Sequence, residues 1–375
     1  MLSENAYDAW LRLALAPGLT TRRRLRILQQ VGDPQNLRSG IPPEVAAVLG
    51  AERLAGLQYA MSADSWSALD AAKGWLTEPG QGILTLGDPA YPRALLDLPD
   101  PPVLLYCKGN RELLLHTGLA IVGSRNPTPQ GGQSAHDFAA AWAGSGMTVI
   151  SGLAAGIDAA AHRGALSVGG MTVAVVGTGL DRVYPASNHQ LAHQISEQGL
   201  LLSEFPLGTP PKAENFPQRN RLIAALGSGC LVVEAALGSG SLITARQSAD
   251  LGREVFAIPG SIHSPLAKGC HWLIKQGAKL VDEVDDILTE FPDIESAAAM
   301  KDGLAPAVAD YPQEGGMEVR VLAEMGWGPI DLDSLVVRTG LTHGALCEIL
   351  LGLELQGTIL VLPGGRYQRA GKTGS

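Results

Sequence analysis

The chain has 375 residues, of which 46% are hydrophobic and 17% charged, and this composition predicts a globular protein of two or three domains. The formal net charge is −9, which excludes nucleic-acid binding through a basic surface that covers the whole molecule. A nucleic-acid site in this chain must therefore be local.

The cysteines and the apolar segments predict the compartment. The four cysteines are far apart and include no C-x-x-C pair, which argues against a disulfide framework and against a zinc site. No apolar stretch is long enough to cross a bilayer, and the first ten residues carry Glu4 and Asp8 but no basic residue, unlike a signal peptide. We expect a cytoplasmic protein without membrane contact.

Residues 1–78 predict a helical domain of the helix-hairpin or SAM type. Apolar residues recur at helical spacing on both sides of a turn at Ala16-Pro17-Gly18-Leu19. Four arginines follow that turn, at Arg22, Arg23, Arg24 and Arg26. They form either a solvated helix face or an auxiliary phosphate contact, because a glycine turn exposes backbone N–H groups to phosphate.

Residues 79–290 alternate between strands and helices. The predicted strands are apolar runs at 119–122, 147–150, 172–176, 200–202, 230–233 and 255–258. The predicted helices lie at 133–143, 157–167, 189–198, 217–226 and 241–251. Continuous apolar runs separated by helices indicate strands buried on both faces of a parallel sheet. We predict a Rossmann-like α/β domain with a doubly wound, mostly parallel sheet.

The C-terminal part predicts a separate module. Residues 291–316 are rich in Ala, Pro, Gly and acidic residues and are interpreted as a linker. Residues 317–370 contain three short helices and then two strands around a Pro-Gly-Gly turn, which is typical of a winged helix. The helix in the recognition position, Thr342 to Gln356, contains Glu348 and Glu354 but no Lys or Arg. We therefore expect a protein-contact or regulatory role for this module.

Glycine-rich loops follow the predicted strands. In an open parallel sheet, ligands bind beyond the carboxyl ends of the strands, where such loops meet helix N-termini. Gly123, Ser124 and Arg125 follow the strand that ends at Val122, and Ser151-Gly152 follow the next strand. Glycine allows a phosphate to approach the backbone, and arginine adds a planar charge that matches phosphate geometry.

A second candidate segment combines an aromatic residue with several cations. Lys212, Phe216, Arg219, Asn220 and Arg221 lie in one short run at the start of a predicted helix. Single-stranded nucleic acid suits such a run because bases stack on aromatic rings while phosphates pair with charge. Phe216 could instead be a packed core residue, and at least one of the two later arginines could pair with an acid across the sheet.

Hydroxyl groups at one helix start complete the list of candidates. Ser241 and Thr244 lie at the start of the helix that follows the strand at 230–233, where they can cap the helix or bind phosphate. Glu234 has no partner that would make it a general acid or base, so a structural role is favoured.

We predict no catalytic centre, no metal site and no cofactor. A dinucleotide site is disfavoured because Gly177-x-Gly179 continues to Arg182 where a third glycine is needed.

Several of these strings together resemble one family. G-S-R-N-P-T-P-Q-G at 123–131, I-S-G-L-A-A-G-I-D-A-A-A-H at 150–162, G-T-G-L-D-R-V-Y-P at 177–185 and F-P-Q-R-N-R at 216–221 resemble the bacterial DNA-processing family DprA, also called Smf. The resemblance implies a homodimer, formed through the Rossmann-like domain, that binds single-stranded DNA during natural transformation. It also implies protection of that DNA and help in loading the recombinase RecA.

The resemblance assigns roles to particular residues. Gly123, Ser124 and Arg125 match the family's phosphate loop, and Phe216 with 219–221 matches its F-P-x-R-N-R element. A loop that often carries basic residues in the family reads Tyr184-Pro185-Ala-Ser-Asn here, without one.

Two other classes of function stay open at this point. One is a nucleotide-cleaving enzyme of the phosphoribohydrolase type, although the P-G-G-x-G-T-x-x-E string of such enzymes is missing from the chain. The other is a sensor of a small nucleotide.

Overall fold

The computed structural model describes residues 4–291 and 317–370, so nearly all of the predicted linker lies outside the described residues. Five helices form the N-terminal part: α1 Glu4–Leu15, α2 Thr21–Val31, α3 Pro43–Leu49, α4 Ala51–Ser62 and α5 Ser67–Trp75. Gly18 allows the turn between the first two helices because its φ is +72°, a conformation that other residues rarely adopt. Leu13, Ile27 and Leu57 are buried where these helices meet.

A nine-stranded sheet forms the centre of the molecule. Its strands are β1 Gln81–Thr85, β2 Leu104–Gly109, β3 Gly118–Val122, β4 Thr148–Ser151, β5 Met171–Val175, β6 Leu200–Ser203, β7 Gly229–Val232, β8 Glu254–Ala257 and β9 Lys279–Leu280. Their spatial order is β1-β2-β6-β5-β4-β3-β7-β8-β9. Strands β3 to β9 are parallel, whereas β1 and β2 extend the sheet as antiparallel neighbours.

Helices cover both faces of this sheet. They are α6 Pro129–Gly144, α7 Ile157–Ser167, α8 His189–Gln198, α9 Asn215–Leu226, α10 Ser241–Asp250, α11 Lys268–Lys275 and α12 Asp285–Leu288. Trp142 of α6 packs with one set of strand residues, whereas Leu222 of α9 and Leu242 of α10 pack with the alternate set. Because successive strand residues point to opposite faces, the sheet lies between two helical layers. The predicted doubly wound fold is confirmed.

The strand order creates a crevice. From β3 the chain proceeds through β4, β5 and β6 in one direction, and it returns to the other side of β3 to form β7, β8 and β9. The loops that leave the carboxyl ends of β3 and β7 therefore diverge. This is the topological switch point, where open α/β sheets bind their ligands.

The C-terminal module has a core of its own. It contains α13 Met317–Met325, α14 Leu332–Thr339, α15 His343–Leu355 and the strands β10 Ile330–Asp331, β11 Ile359–Leu362 and β12 Arg366–Arg369. The strand order is β10-β12-β11, and Val321, Leu335 and Leu346 are fully buried. The predicted winged-helix arrangement is confirmed.

Within residues 4–291 and 317–370, no single helix has both the length and the apolar composition needed to cross a bilayer. Helices α14 and α15 meet that criterion only as a pair bent by 108°.

Candidate nucleic-acid interface

A cleft of about 620 Å³ occupies the switch point. Gly123 and Arg125 come from the loop after β3, Asp158 from the start of α7, and Phe216 from the start of α9. Residues from the segment Ser239 to Thr244, at the start of α10, also line the cleft. Four separate segments at the carboxyl ends of parallel strands thus converge on one space.

Arg125 is the exposed cation of the cleft. Its Cζ lies 5.1 Å from the centroid of the Phe216 ring, which is cation–π distance. Arg125 forms no ion pair with any residue in the described ranges. The guanidinium is therefore held in place by an aromatic ring and keeps its N–H donors available for an anion.

Two aromatic rings border the same opening. Tyr184, in the loop that follows β5, is 45% exposed, and its ring centroid lies 5.6 Å from that of Phe216 at an angle of 38°. Phe216 is half-buried. Exposed ring surface beside an available guanidinium provides a stacking surface and a phosphate contact within one short span.

Arg219 lies beneath this surface and is only 3% exposed. Its Nη1 donates to the backbone oxygens of Gly152 and Val175, which ties α9 to the ends of β4 and β5. Burial lowers the pKa of Arg219 to about 10, although the nearby Asp158 favours the charged form. Arg219 is thus charged at neutral pH, and its hydrogen bonds support the floor of the cleft.

Two carboxylates fix the loops around the cleft. Asp158 accepts hydrogen bonds from the backbone N–H groups of Gly152 and Ala154, at 3.2 and 3.3 Å. Glu234 accepts from Thr128, from its N–H at 2.9 Å and from its hydroxyl at 2.6 Å. Burial raises the pKa of Asp158, and the Arg219 charge opposes that rise. Because the Gly152 N–H donates to Asp158, it is already bonded within the protein.

Glycine is required where these loops touch one another. Gly156 has a φ of +82°, and a Cβ at this position would lie 2.3 Å from the Ser124 carbonyl oxygen. A Cβ at Gly152 would lie 2.1 Å from Nη1 of Arg219. The absence of side chains at these glycines lets the β4 loop support both the Arg125 loop and the buried arginine.

The structure brings most of the sequence-predicted residues together. Gly123, Arg125, Phe216, Arg219, Asn220, Ser241 and Thr244 line the cleft. Gly152 lines an adjoining small pocket together with Arg125 and Phe216. Lys212 is exposed outside the cleft lining, and the Ser124 hydroxyl accepts a hydrogen bond from the Asn126 N–H at 3.1 Å.

Two predicted phosphate contacts need correction. The Ser151 hydroxyl is fully buried and donates to the Ile121 carbonyl oxygen at 2.6 Å, so it cannot reach a ligand. Arg221 points away from the cleft and pairs with Glu204 at 2.5 Å and Asp100 at 3.8 Å. The expectation that one of the two later arginines pairs with an acid is met at Arg221.

The arginines of α2 differ in exposure and in contacts. Arg24 is partly buried and its Nε donates to the Leu13 carbonyl oxygen at 3.1 Å, so it joins α2 to α1. Arg22 and Arg26 are exposed.

Sequence reasoning missed Tyr184 and Asp158 as members of the site. The sequence presents Tyr184 only as part of a loop without basic residues, whereas its proximity to Phe216 depends on how the loop after β5 meets the start of α9. An acidic residue directly after a glycine loop, at the first turn of a helix, is the signal that could have identified Asp158. Among the side chains described, no group of three or more His, Cys, Asp or Glu is arranged to hold a metal ion.

Fold and site together define a Rossmann-like α/β protein with a switch-point cleft and a C-terminal winged helix. The protein-family model described as DNA recombination-mediator protein A matches residues 82–292, and the family model of the DprA winged helix domain matches residues 305–365. The protein Smf of Escherichia coli is 36% identical over 97% of this chain and 96% of its own length. The chain belongs to the DprA/Smf family of DNA-processing proteins, so the resemblance seen in the sequence is confirmed.

Further relatives agree with this assignment. The DNA processing protein DprA of Streptococcus pneumoniae is 48% identical over 54% of this chain and 72% of its own. An X-ray structure of that protein matches with a TM-score of 0.66 and 37% identity, covering 78% of this chain and 99% of the other. A structure of DNA processing protein A from Helicobacter pylori, whose description concerns its single-stranded DNA binding mode, matches with a TM-score of 0.52 and 31% identity, covering 56% of this chain and 96% of the other.

Proposed function

We propose that the switch-point cleft binds single-stranded DNA and that the protein acts on this DNA as a recombination mediator. In this proposal Arg125 contacts a backbone phosphate while bases stack on Phe216 and Tyr184. The observation that carries it is the Arg125 guanidinium, exposed and 5.1 Å from the Phe216 ring at the mouth of the cleft. A phosphate and its base need such a pair of groups side by side.

This geometry favours a single strand over a duplex. In a duplex the bases are paired and stacked inside the helix, so their faces cannot reach an aromatic surface, whereas single-strand binders stack exposed bases. Every base has a π-face, so stacking gives little sequence preference. The relative from Helicobacter pylori, described for its single-stranded DNA binding mode, supports the same ligand class.

We further propose that bound DNA is protected from nucleases and passed to RecA during natural transformation, in the cytoplasm, by a homodimer formed through the Rossmann-like domain. Membership of a family described as recombination-mediator proteins supports this role. Binding rather than catalysis is the proposed activity because the two carboxylates beside the cleft are engaged. Asp158 holds the β4 loop and Glu234 holds Thr128.

The test is a gel-shift titration of Arg125→Ala and wild type with single-stranded and duplex oligonucleotides of equal length. We expect single-strand affinity to fall about tenfold in the variant, as for the loss of one charge-assisted contact. Lys275→Ala is the matched control, because Lys275 is exposed at the end of α11, outside the residues that line the cleft, and its removal changes net charge equally. Equal affinity of Arg125→Ala and wild type would contradict the proposal.

A further inference from the structure

A second cavity lies between the N-terminal helices and the edge strand β1. It has a volume of about 760 Å³ and is bordered by α1, by the end of α5 and by the first residues of β1. Gln81 of β1 pairs with Lys108, and Lys108 pairs with Leu201 near the start of β6. The cavity therefore lies toward the amino ends of the parallel strands, on the opposite edge of the sheet from the cleft.

The lining of this cavity is strongly cationic. Its charged side chains are Arg12, Arg38, Lys73, Arg111 and the single carboxylate Asp8, which gives a formal charge of +3. The Asp8 carboxylate forms ion pairs with Arg12 at 2.5 Å, with Lys73 at 2.6 Å and with Arg38 at 3.0 Å. Burial would raise the pKa of Asp8, but hydrogen bonds from Lys73 and Arg12 outweigh it and lower that pKa overall. Asp8 is thus ionised at neutral pH and neutralises only one of its three neighbours.

Three of these cations keep donors for a ligand. Arg12 is buried and donates to the Ala60 and Ala63 carbonyl oxygens, so its role is structural. The side chains of Arg38 and Lys73 are 44% and 48% exposed. The Arg111 guanidinium lies over Gly82, where an added Cβ would be 3.0 Å from Nη1. A small residue in β1 thus makes room for an arginine at the edge of the cavity.

The uncharged part of the lining combines apolar side chains with polar ones, among them Thr77 and Gln81. Leu11, Leu76 and Ile83 contribute apolar surface beside the cationic groups. The Oε1 atom of Gln81 is buried, and no hydrogen-bond donor contacts it within the described chain. A buried acceptor without a partner is costly unless a ligand supplies the donor. Cationic groups, apolar surface and a buried acceptor together match the phosphate, ring and exocyclic amino group of a nucleotide.

We propose that this cavity binds a nucleotide, with its phosphate held by Arg38, Lys73 and Arg111 and its base against the apolar wall near Gln81. The nucleotide is either free in solution or part of a DNA strand that also occupies the cleft. The volume fits one such unit, since pockets for small ligands span about 300–1,000 Å³.

Isothermal titration of the full chain with dAMP tests the proposal. Lys73→Gln and Arg111→Gln should each weaken dAMP binding at least about fivefold, because each removes one charge-assisted phosphate contact. Lys275→Gln should change it less than about twofold, since Lys275 lies at the end of α11, which packs on β8, far from β1 in the strand order. Arg125→Ala shows whether dAMP binds at the cleft instead. Thermal unfolding checks that the variants fold, and Arg111→Gln leaves every Asp8 ion pair intact.

A parallel titration with a single-stranded oligonucleotide separates the two sources. If dAMP does not bind but Lys73→Gln and Arg111→Gln both weaken oligonucleotide binding, the proposal stands with the DNA strand as the source. The proposal is overturned if neither the dAMP affinity nor the oligonucleotide affinity changes in these two variants. It is also overturned if dAMP binding is lost in Arg125→Ala alone, because the nucleotide would then occupy the cleft.

Discussion

Three arginines that the sequence presents as equivalent have different roles in the structure. Arg125 is available to a ligand, Arg219 supports the floor of the cleft, and Arg221 forms an ion pair elsewhere. Helical geometry explains the last two, because residues two positions apart on an α-helix point about 200° away from each other. Once 219–221 is placed in a helix, the sequence alone indicates that both arginines cannot face one ligand.

The buried position of Arg219 predicts a defect in stability. Arg219→Leu would leave the Gly152 and Val175 carbonyl oxygens without their donor and Asp158 without its nearby cation. We expect the free energy of unfolding to fall by about 3 kcal/mol, as when one partner of a buried charge network is removed. Urea unfolding measures this change, with Arg125→Ala as the comparison that stays within about 0.5 kcal/mol of wild type. A fully stable Arg219→Leu protein would show that these contacts do not support the fold.

Glu204 predicts a pH dependence of stability. Burial raises its pKa from 4.5 to about 7, although Arg221 favours the charged form. Between these two values the folded chain binds more protons than the unfolded chain, so this contribution to stability is complete below pH 4.5 and is lost as pH rises to about 7. In Glu204→Gln, the free energy of unfolding should decline less between pH 5 and pH 7, by about 1–3 kcal/mol. Identical slopes in chemical denaturation would contradict this assignment.

At the scale of elements, the contact between two loops determines the position of Arg125. Gly156→Ala would place a Cβ against the Ser124 carbonyl and would also strain a backbone with φ of +82°. We expect a loss of about 1–3 kcal/mol in stability together with weaker single-strand binding, because the Arg125 loop must shift. Gly132→Ala in α6 is the control, since its Cβ would meet no atom within 4 Å other than the adjacent backbone of its own helix, and alanine favours a helix. Gel shifts and urea unfolding of both variants check the prediction, and equal behaviour would refute it.

The elements themselves were predictable because buried parallel strands are continuous apolar runs. The predicted strand at 119–122 corresponds to β3, and the predicted helix at 157–167 coincides with α7. Helix α9 begins at Asn215, two residues before the Pro217 that marks its predicted start. The sequence could not show that the carboxylates of Asp158 and Glu234 accept hydrogen bonds from loop N–H groups, because those contacts depend on how the loops approach each carboxylate. For the same reason it did not pair Tyr184 with Phe216.

For the whole molecule, an acidic net charge is compatible with the proposed DNA-binding cleft because the cations are concentrated. Arg125 stands at the carboxyl ends of the strands, whereas Lys73 and Arg111 stand near the opposite edge. At physiological ionic strength, exposed charges more than about 8 Å apart are largely screened from one another. A strand in the cleft therefore responds mainly to the groups that line it, and much less to the total of −9.

The winged helix adds no basic surface through its recognition helix. Helix α15 carries Glu348 and Glu354 and no Lys or Arg, and its exposed residues include Leu351 and Leu355. Reading a major groove requires Arg, Lys, Asn or Gln on that surface, whereas exposed leucines suit a protein contact. The module also touches the main domain, since Nε2 of Gln368 donates to Oε1 of Gln130 at 2.7 Å.

These features predict how DNA binding divides between the two parts. A chain ending at Phe291 should bind single strands within about threefold of the full chain, because the cleft is formed entirely by residues before that point. The fragment 317–375 should bind duplex DNA no more tightly than about 100 µM, the weak end of nonspecific affinities. Fluorescence anisotropy with both nucleic acids measures the two parts separately. Tight duplex binding by the fragment would mean that Arg338, Arg366 and Arg369, which lie outside α15, form a DNA surface without help from the recognition helix.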